Sequence, residues 1–189
     1  GAVGALVYPM MGGRLLDDPA FAPFFETLDE LDLPLCIHVG WYIPALTDLF
    51  RTIYMNEVLS IAIPSHIAFA CIMAGDLFTK YPRLRVGIFE AGATWLPYYV
   101  ERLDHYYDAH VGLGWWRPYR KASDYLAEGR LFLTFEPGES LLPQVIDFVG
   151  PDQFLLSTDM PHAELRESAI QEVLRRADLS DQVKRKIFC

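Results

Sequence analysis

Five short apolar runs, each followed by a stretch of helical spacing, limit most strongly what this chain can fold into. They are residues 5–8 (A-L-V-Y), 34–40 (P-L-C-I-H-V-G), 85–91 (R-V-G-I-F-E-A), 131–135 (L-F-L-T-F) and 154–156 (F-L-L). Near-continuous apolar strands belong to parallel sheets, where helices cover the faces and both sides of a strand are buried. Alternation of strand and helix implies an α/β fold. Helix starts fit this reading. Asp17, Asp18 and Pro19 precede Phe21, Phe24, Phe25, Leu28 and Leu31, and Ser65 is placed to cap a helix running to Lys80. Further helices are expected over 46–59, 94–109, 123–126, 141–149, 163–176 and from Ser180 on, with a Gly12-Gly13 turn near the start. A complete (β/α)₈ barrel takes about 250 residues. Five units in 189 residues therefore read as a single domain, the C-terminal part of a TIM barrel lacking its N-terminal strands. An open doubly wound sheet is the alternative, but no G-x-G-x-x-G or Walker-type loop follows any strand.

In parallel α/β folds, ligands and catalytic groups collect at the C-terminal ends of the strands. Four runs here end in ionisable residues: His38, Glu90, Glu136 and Asp159. A neutral imidazole and a carboxylate brought together from separate strands suit Zn²⁺ or Mn²⁺. His38 with Asp159 is the strongest pairing. Asp159 would equally serve as a cap for a helix beginning near Ala163, and Glu90 and Glu136 would serve as helix-capping acids or partners of barrel arginines, which is the main reading of Glu136. His66 reads as a cap-region histidine. His105 and His110, five apart, lack the same-face spacing of a helical metal pair and read as surface residues.

Lys and Arg number 16 against 25 Asp and Glu, a net charge of −9, which leaves no electrostatic footprint for a nucleic acid. The three cysteines, Cys36, Cys71 and Cys189, are widely spaced and suit free thiols in a reducing, cytoplasmic setting. The most apolar stretch, residues 59–75, contains Pro64 and His66 and reads as too short and too interrupted to span a membrane. No signal peptide is evident, and both ends look cut.

The words L-P-L-C-I-H-V-G, G-D-L-F-T-K-Y-P-R-L-R-V-G-I-F-E-A-G-A-T-W-L-P-Y-Y-V-E-R-L-D and V-G-P-D-Q-F-L-L-S-T-D-M-P-H, in that order, resemble the amidohydrolase-2 branch of the metal-dependent amidohydrolase superfamily. That branch includes aminocarboxymuconate-semialdehyde and γ-resorcylate decarboxylases, and the resemblance covers nearly the whole chain. It implies a TIM-barrel metal-dependent hydrolase or carboxy-lyase. His38 would match the metal-binding histidine of the fifth strand. Asp159 would match the aspartate of the eighth, which binds the metal and carries a proton. Glu90 stands where the decarboxylases have a histidine that activates the metal-bound water, a departure in the form of an E-x-G-x-x-W variant. The first-strand ligand pair has no match in this chain, so half of the metal site is expected to be missing and the chain alone is expected to be inactive and to bind metal weakly.

The substrate would be a small molecule, aromatic or carboxylated, hydrolysed or decarboxylated. Trp41, Tyr42, Trp115 and Trp116 flank strand ends and suit a pocket for a planar substrate. They would equally pack the barrel rim or form the interface of a homo-oligomer. His162, three residues past Asp159, would orient a ligand or the substrate. The rival reading is a barrel that has lost its ligands and serves as a binding or structural protein.

Overall fold

The computed structural model describes residues 1–40, 44–159 and 168–188. Five parallel strands, β1 (Ala5–Val7), β4 (Leu35–His38), β5 (Val86–Phe89), β6 (Leu131–Thr134) and β7 (Phe154–Leu155), form one sheet in chain order. Sequential order with a helical crossover between neighbours is the arrangement of a (β/α) barrel wall, open here at β1 and β7. The register sets Leu6 beside Cys36, Cys36 beside Gly87, and Gly87 beside Phe132. The short β2 (Met10–Met11) and β3 (Arg14–Leu15) form a separate hairpin. Gly12 and Gly13 are its two-residue turn, with φ of 57° and 74°, the left-handed pair that a tight hairpin needs.

The two faces of the large sheet differ. Leu35, Ile37, Val86, Ile88, Leu131 and Leu133 are fully buried under the helices. The other face, which in a closed barrel would fill the interior, carries Leu6 at 61% and Leu155 at 38% exposure. Expected burial of both faces therefore holds for one face only, because the described strands do not close on themselves. His38 is the last residue of β4 and belongs, by alternation, to this open face.

The helix after β4 departs from expectation. Instead of two helices meeting at a Ser65 cap, one helix runs through Ile53–Ala74, with a π turn over Asn56–Ile61. Ser65 and Pro64 lie buried inside it. Pro64 cannot donate to the i−4 carbonyl and its ring crowds that carbonyl; the widened turn just before it accommodates both effects. At 22 residues the helix is long and apolar enough to cross a membrane by length and composition alone, and half of that span is buried inside the molecule. Ala68, Phe69, Ile72 and Met73 of its C-terminal half belong to the main core. The chain then continues in Leu77–Lys80, reached through Asp76, which has a left-handed φ of 56°.

The remaining α-helices among the described residues are Ala22–Glu30, Pro44–Thr47, Leu96–Leu113, Ala122–Leu126, Leu142–Val149, Ala169–Arg175 and Asp181–Phe188. Asp18 caps a 3₁₀ turn that leads into the first of them, its Oδ1 accepting from the Ala20 N–H at 2.8 Å. Cys36 and Cys71 are free thiols, and burial pushes Cys71 up to about 12.

Candidate active site at the strand ends

β4 delivers His38 and β5 delivers Glu90 to the same end of the sheet, His38 pairing with Phe89 in the ladder. The His38 Nε2 lies 3.0 Å from Glu90 Oε1, and its Nδ1 lies 2.9 Å from the Val39 carbonyl oxygen. A carbonyl only accepts, so Nδ1 carries a proton. Nε2 and Glu90 then share one more proton between them. Nε2 is also the nitrogen whose lone pair would face a cation.

Asp159, four residues past β7, brings its carboxyl against Glu90. Burial pushes the Glu90 carboxyl above its ordinary range; His38 pulls it back, and the Asp159 carboxyl adds to the rise. Three groups from three strands thus meet through Glu90. Its side chain is 26% exposed and that of His38 31%, enough for a ligand to reach them.

The backbone is tuned to this meeting. Glu90 and Asp159 have φ of 62° and 55°, two of four such non-glycine residues among those described. A left-handed conformation costs a side-chain-bearing residue roughly 1–2 kcal/mol, and such strain tends to gather at functional sites. Several bonds hold Glu90 in place. Its N–H donates to Thr134 Oγ1 at 2.8 Å. Gly92, at φ 66°, completes the turn, and the Trp95 indole N–H closes it onto the Gly92 carbonyl at 2.8 Å. These contacts account for the E-x-G-x-x-W word: acid, left-handed turn, and clasp.

Glu139 was not singled out from the sequence, yet it is the main brace of this loop. Its carboxylate accepts from the N–H groups of Ala93 (3.1 Å), Thr94 (2.8 Å) and Glu136 (2.7 Å), tying the β5 loop to the β6 loop. Arg176 holds the same turn from behind by donating to the Pro137 and Glu139 carbonyls. An acid just past a Pro-Gly turn after a strand was the available signal. Glu136, expected to cap a helix, contributes its backbone N–H to this brace.

Other sequence candidates fall elsewhere. Trp41, Tyr42 and His162 lie outside the described residues. Trp115 and Trp116 do not flank the site: they follow the Leu96–Leu113 helix, whose 18 residues carry the chain back past the N-terminal ends of the strands. There the Trp116 carbonyl meets His110 Nδ1. His110, expected at the surface, is half-buried in that region. His66 sits inside the long helix rather than at its start, its ring 4.4 Å from that of Trp95 and 5.2 Å from that of Tyr99. Burial lowers it to about 4.

As donors for a divalent cation, an imidazole nitrogen and a carboxylate are right in kind. They are short in number: among the described residues no three His, Cys, Asp or Glu side chains are arranged to hold a metal ion by themselves.

Comparison with known proteins gives the chemistry of its relatives. The Amidohydrolase family profile matches residues 1–189. The γ-resorcylate decarboxylase of a Polaromonas species is 24% identical over 176 residues, 90% of this chain and 52% of that protein. The solved 5-carboxyvanillate decarboxylase of Sphingomonas paucimobilis superposes with a TM-score of 0.81 at 25% identity, over 98% of this chain and 55% of that one. The same enzyme of Novosphingobium aromaticivorans, solved with manganese and 4-hydroxy-3-methoxy-5-nitrobenzoic acid, gives 0.83 at 24% identity, over 100% of this chain and 54% of that one. The chain spans about half the length of the curated relatives it matches.

Proposed function

The chain belongs to the amidohydrolase family, and from that premise we propose that it carries the proton-handling half of a metal-dependent carboxy-lyase site for small hydroxylated aromatic carboxylates. The observation that carries this reading is the meeting of His38, Glu90 and Asp159 from three strand ends. The relatives favour decarboxylation over hydrolysis, since those named above are decarboxylases. His38 and Asp159 would be two ligands of a divalent ion, with the remaining ligands outside the described set. Manganese, present in a relative, and zinc both suit an N/O donor pair. When bound, such an ion supplies fixed positive charge that orients and polarises the oxygens of the substrate.

Asp159, beside Glu90, is the proton carrier. A proton passes from its carboxyl to the ring carbon that bears the carboxylate. The bond from that carbon to the carboxylate carbon then breaks, its electron pair returns to the ring to restore aromaticity, and CO₂ departs. Asp159 is left as a carboxylate and regains a proton from water. Burial and the neighbouring Asp159 carboxyl favour the protonated form of Glu90 while His38 opposes it, and the strained loop fixes where that carboxyl points.

The test is CO₂ release from 2,6-dihydroxybenzoate and 5-carboxyvanillate by the whole protein supplied with Mn²⁺. Asp159→Asn keeps the size and loses the acid, and is expected to lower the rate about 100-fold or more. Undiminished release by Asp159→Asn would remove Asp159 as the proton carrier. Ester or amide hydrolysis without CO₂ release would replace the carboxy-lyase reading with a hydrolase.

A further inference from the structure

We propose a second small-molecule site, at the end of the sheet opposite His38, that takes a single aromatic ring bearing one carboxylate. It is a cavity of about 140 Å³ between the C-terminal half of the Leu96–Leu113 helix, the loop after it, and Met73 and Ala74 of the long helix. Its walls include Leu103, Tyr106, Tyr107, His110 and Trp116. The cavity is half-open, with Trp116 73% and Tyr106 49% exposed, and its volume is close to that of an enclosed apolar cavity that admits a benzene ring, so one ring fits it. Flat aromatic walls favour a flat guest.

Charge selects the substituent. The charged residues lining the cavity are cations: Arg117, Arg120 and Lys121, with no carboxylate among the lining groups. Two of them are already matched. Lys121 pairs with Asp108 at 2.7 Å, within the field of Asp104 and Asp124, and Arg120 pairs with Glu128. Arg117 lies over the Tyr107 ring, 5.2 Å from its centroid, and among the described residues it has no ion-pair partner. Its guanidinium donors are the ones left for an incoming carboxylate, which they fit in a bidentate manner. Stacking on Tyr107 fixes the plane of that fork beside the cavity. One open fork accommodates one carboxylate, and a second negative substituent would meet the fields of Asp104, Asp108 and Asp124. This inference is independent of the proposed reaction, because none of these residues touches the strand-end site.

The four tryptophans make the test selective, since Trp116 lines this cavity while Trp95 clasps the Glu90 loop at the other end. Benzoate is titrated into ¹⁵N-labelled protein while the indole N–H signals are followed. Saturable shifts at Trp116 are expected, with an affinity separate from that of any shift at Trp95, which reports the strand-end site. Arg117→Glu, a surface change, is expected to weaken benzoate by about tenfold or more and to leave phenol binding unchanged. Ala74→Phe, which fills the cavity, is expected to abolish both; Trp116→Ala, followed through the Trp115 indole, serves the same purpose if that variant does not fold. Benzoate shifts confined to Trp95, or an affinity at Trp116 indifferent to Arg117→Glu, would overturn the proposal.

Discussion

At Glu90 a side chain is placed by its backbone: a left-handed φ of 62° turns it off the end of β5 toward His38 and Asp159, and the contacts of its loop keep it there. Glu139 supplies most of that support, so Glu139→Ala leaves three backbone N–H groups without their acceptor. The expected loss is about 2 kcal/mol of stability, read by denaturant unfolding. CO₂ release should fall further than stability alone explains, because Glu90 loses its fixed position. A stability unchanged within error would show that water replaces the carboxylate at no cost. His66 gives a prediction in pH. Its folded pKa, about 4 against an ordinary 6.5, means that the unfolded chain binds a proton which the folded one refuses. Stability is therefore fully present above pH 6.5 and is lost as pH falls toward about 4. In His66→Phe, which keeps a ring against Trp95 and Tyr99, the Tm should vary less with pH between these limits than in the wild type. An identical slope in both would assign the loss to other groups.

Among the elements, the loop from Glu90 to Trp95 carries the most consequence for the site. Gly92 occupies φ 66° with a Cβ position 3.4 Å from Glu139 Oε1, so Gly92→Ala fits in space and pays mainly in backbone strain. About 1–2 kcal/mol is expected, measured by thermal unfolding; a stabilised variant would show that the turn tolerates a side chain. The strands were legible because each buried apolar run has a period and composition that a single sequence displays, as in V-G-I-F of β5. The placement of His38, Glu90 and Asp159 at or just past strand ends was legible for the same reason, since polar residues close such runs. Two features were hidden. Pro64 and Ser65 read as a helix boundary, since the compensating π turn over Asn56–Ile61 has no local signature. Trp115 and Trp116 read as site residues because their helix is longer than its apolar pattern. At 18 residues it spans about 27 Å, well beyond the roughly 13 Å of a four-residue strand, and so ends at the far side of the sheet. Glu139 was missed for another reason: a carboxylate accepting backbone N–H groups from loops over 40 residues apart in sequence reveals itself only in three dimensions.

The described residues form an open barrel wall: five parallel strands with helices on one face and a half-open face carrying Leu6, His38 and Leu155. Among the described residues, the site at its rim has the donors of a metal centre in kind and too few in number. Both facts accord with a chain that spans about half the length of its curated relatives. Two protein ligands bind a divalent ion more weakly than the three or more of a catalytic site, so Mn²⁺ should bind these 189 residues detectably and reversibly rather than survive dialysis. The most direct test uses Mn²⁺ as a paramagnetic probe, added to the chain while the imidazole and carboxyl signals are followed by NMR. The account predicts that His38, Glu90 and Asp159 broaden together at the lowest Mn²⁺ concentrations, before any other acid, and that His38→Ala abolishes this selectivity. Broadening that begins at exposed acids and leaves these three sharp, or that is unchanged in His38→Ala, would contradict it.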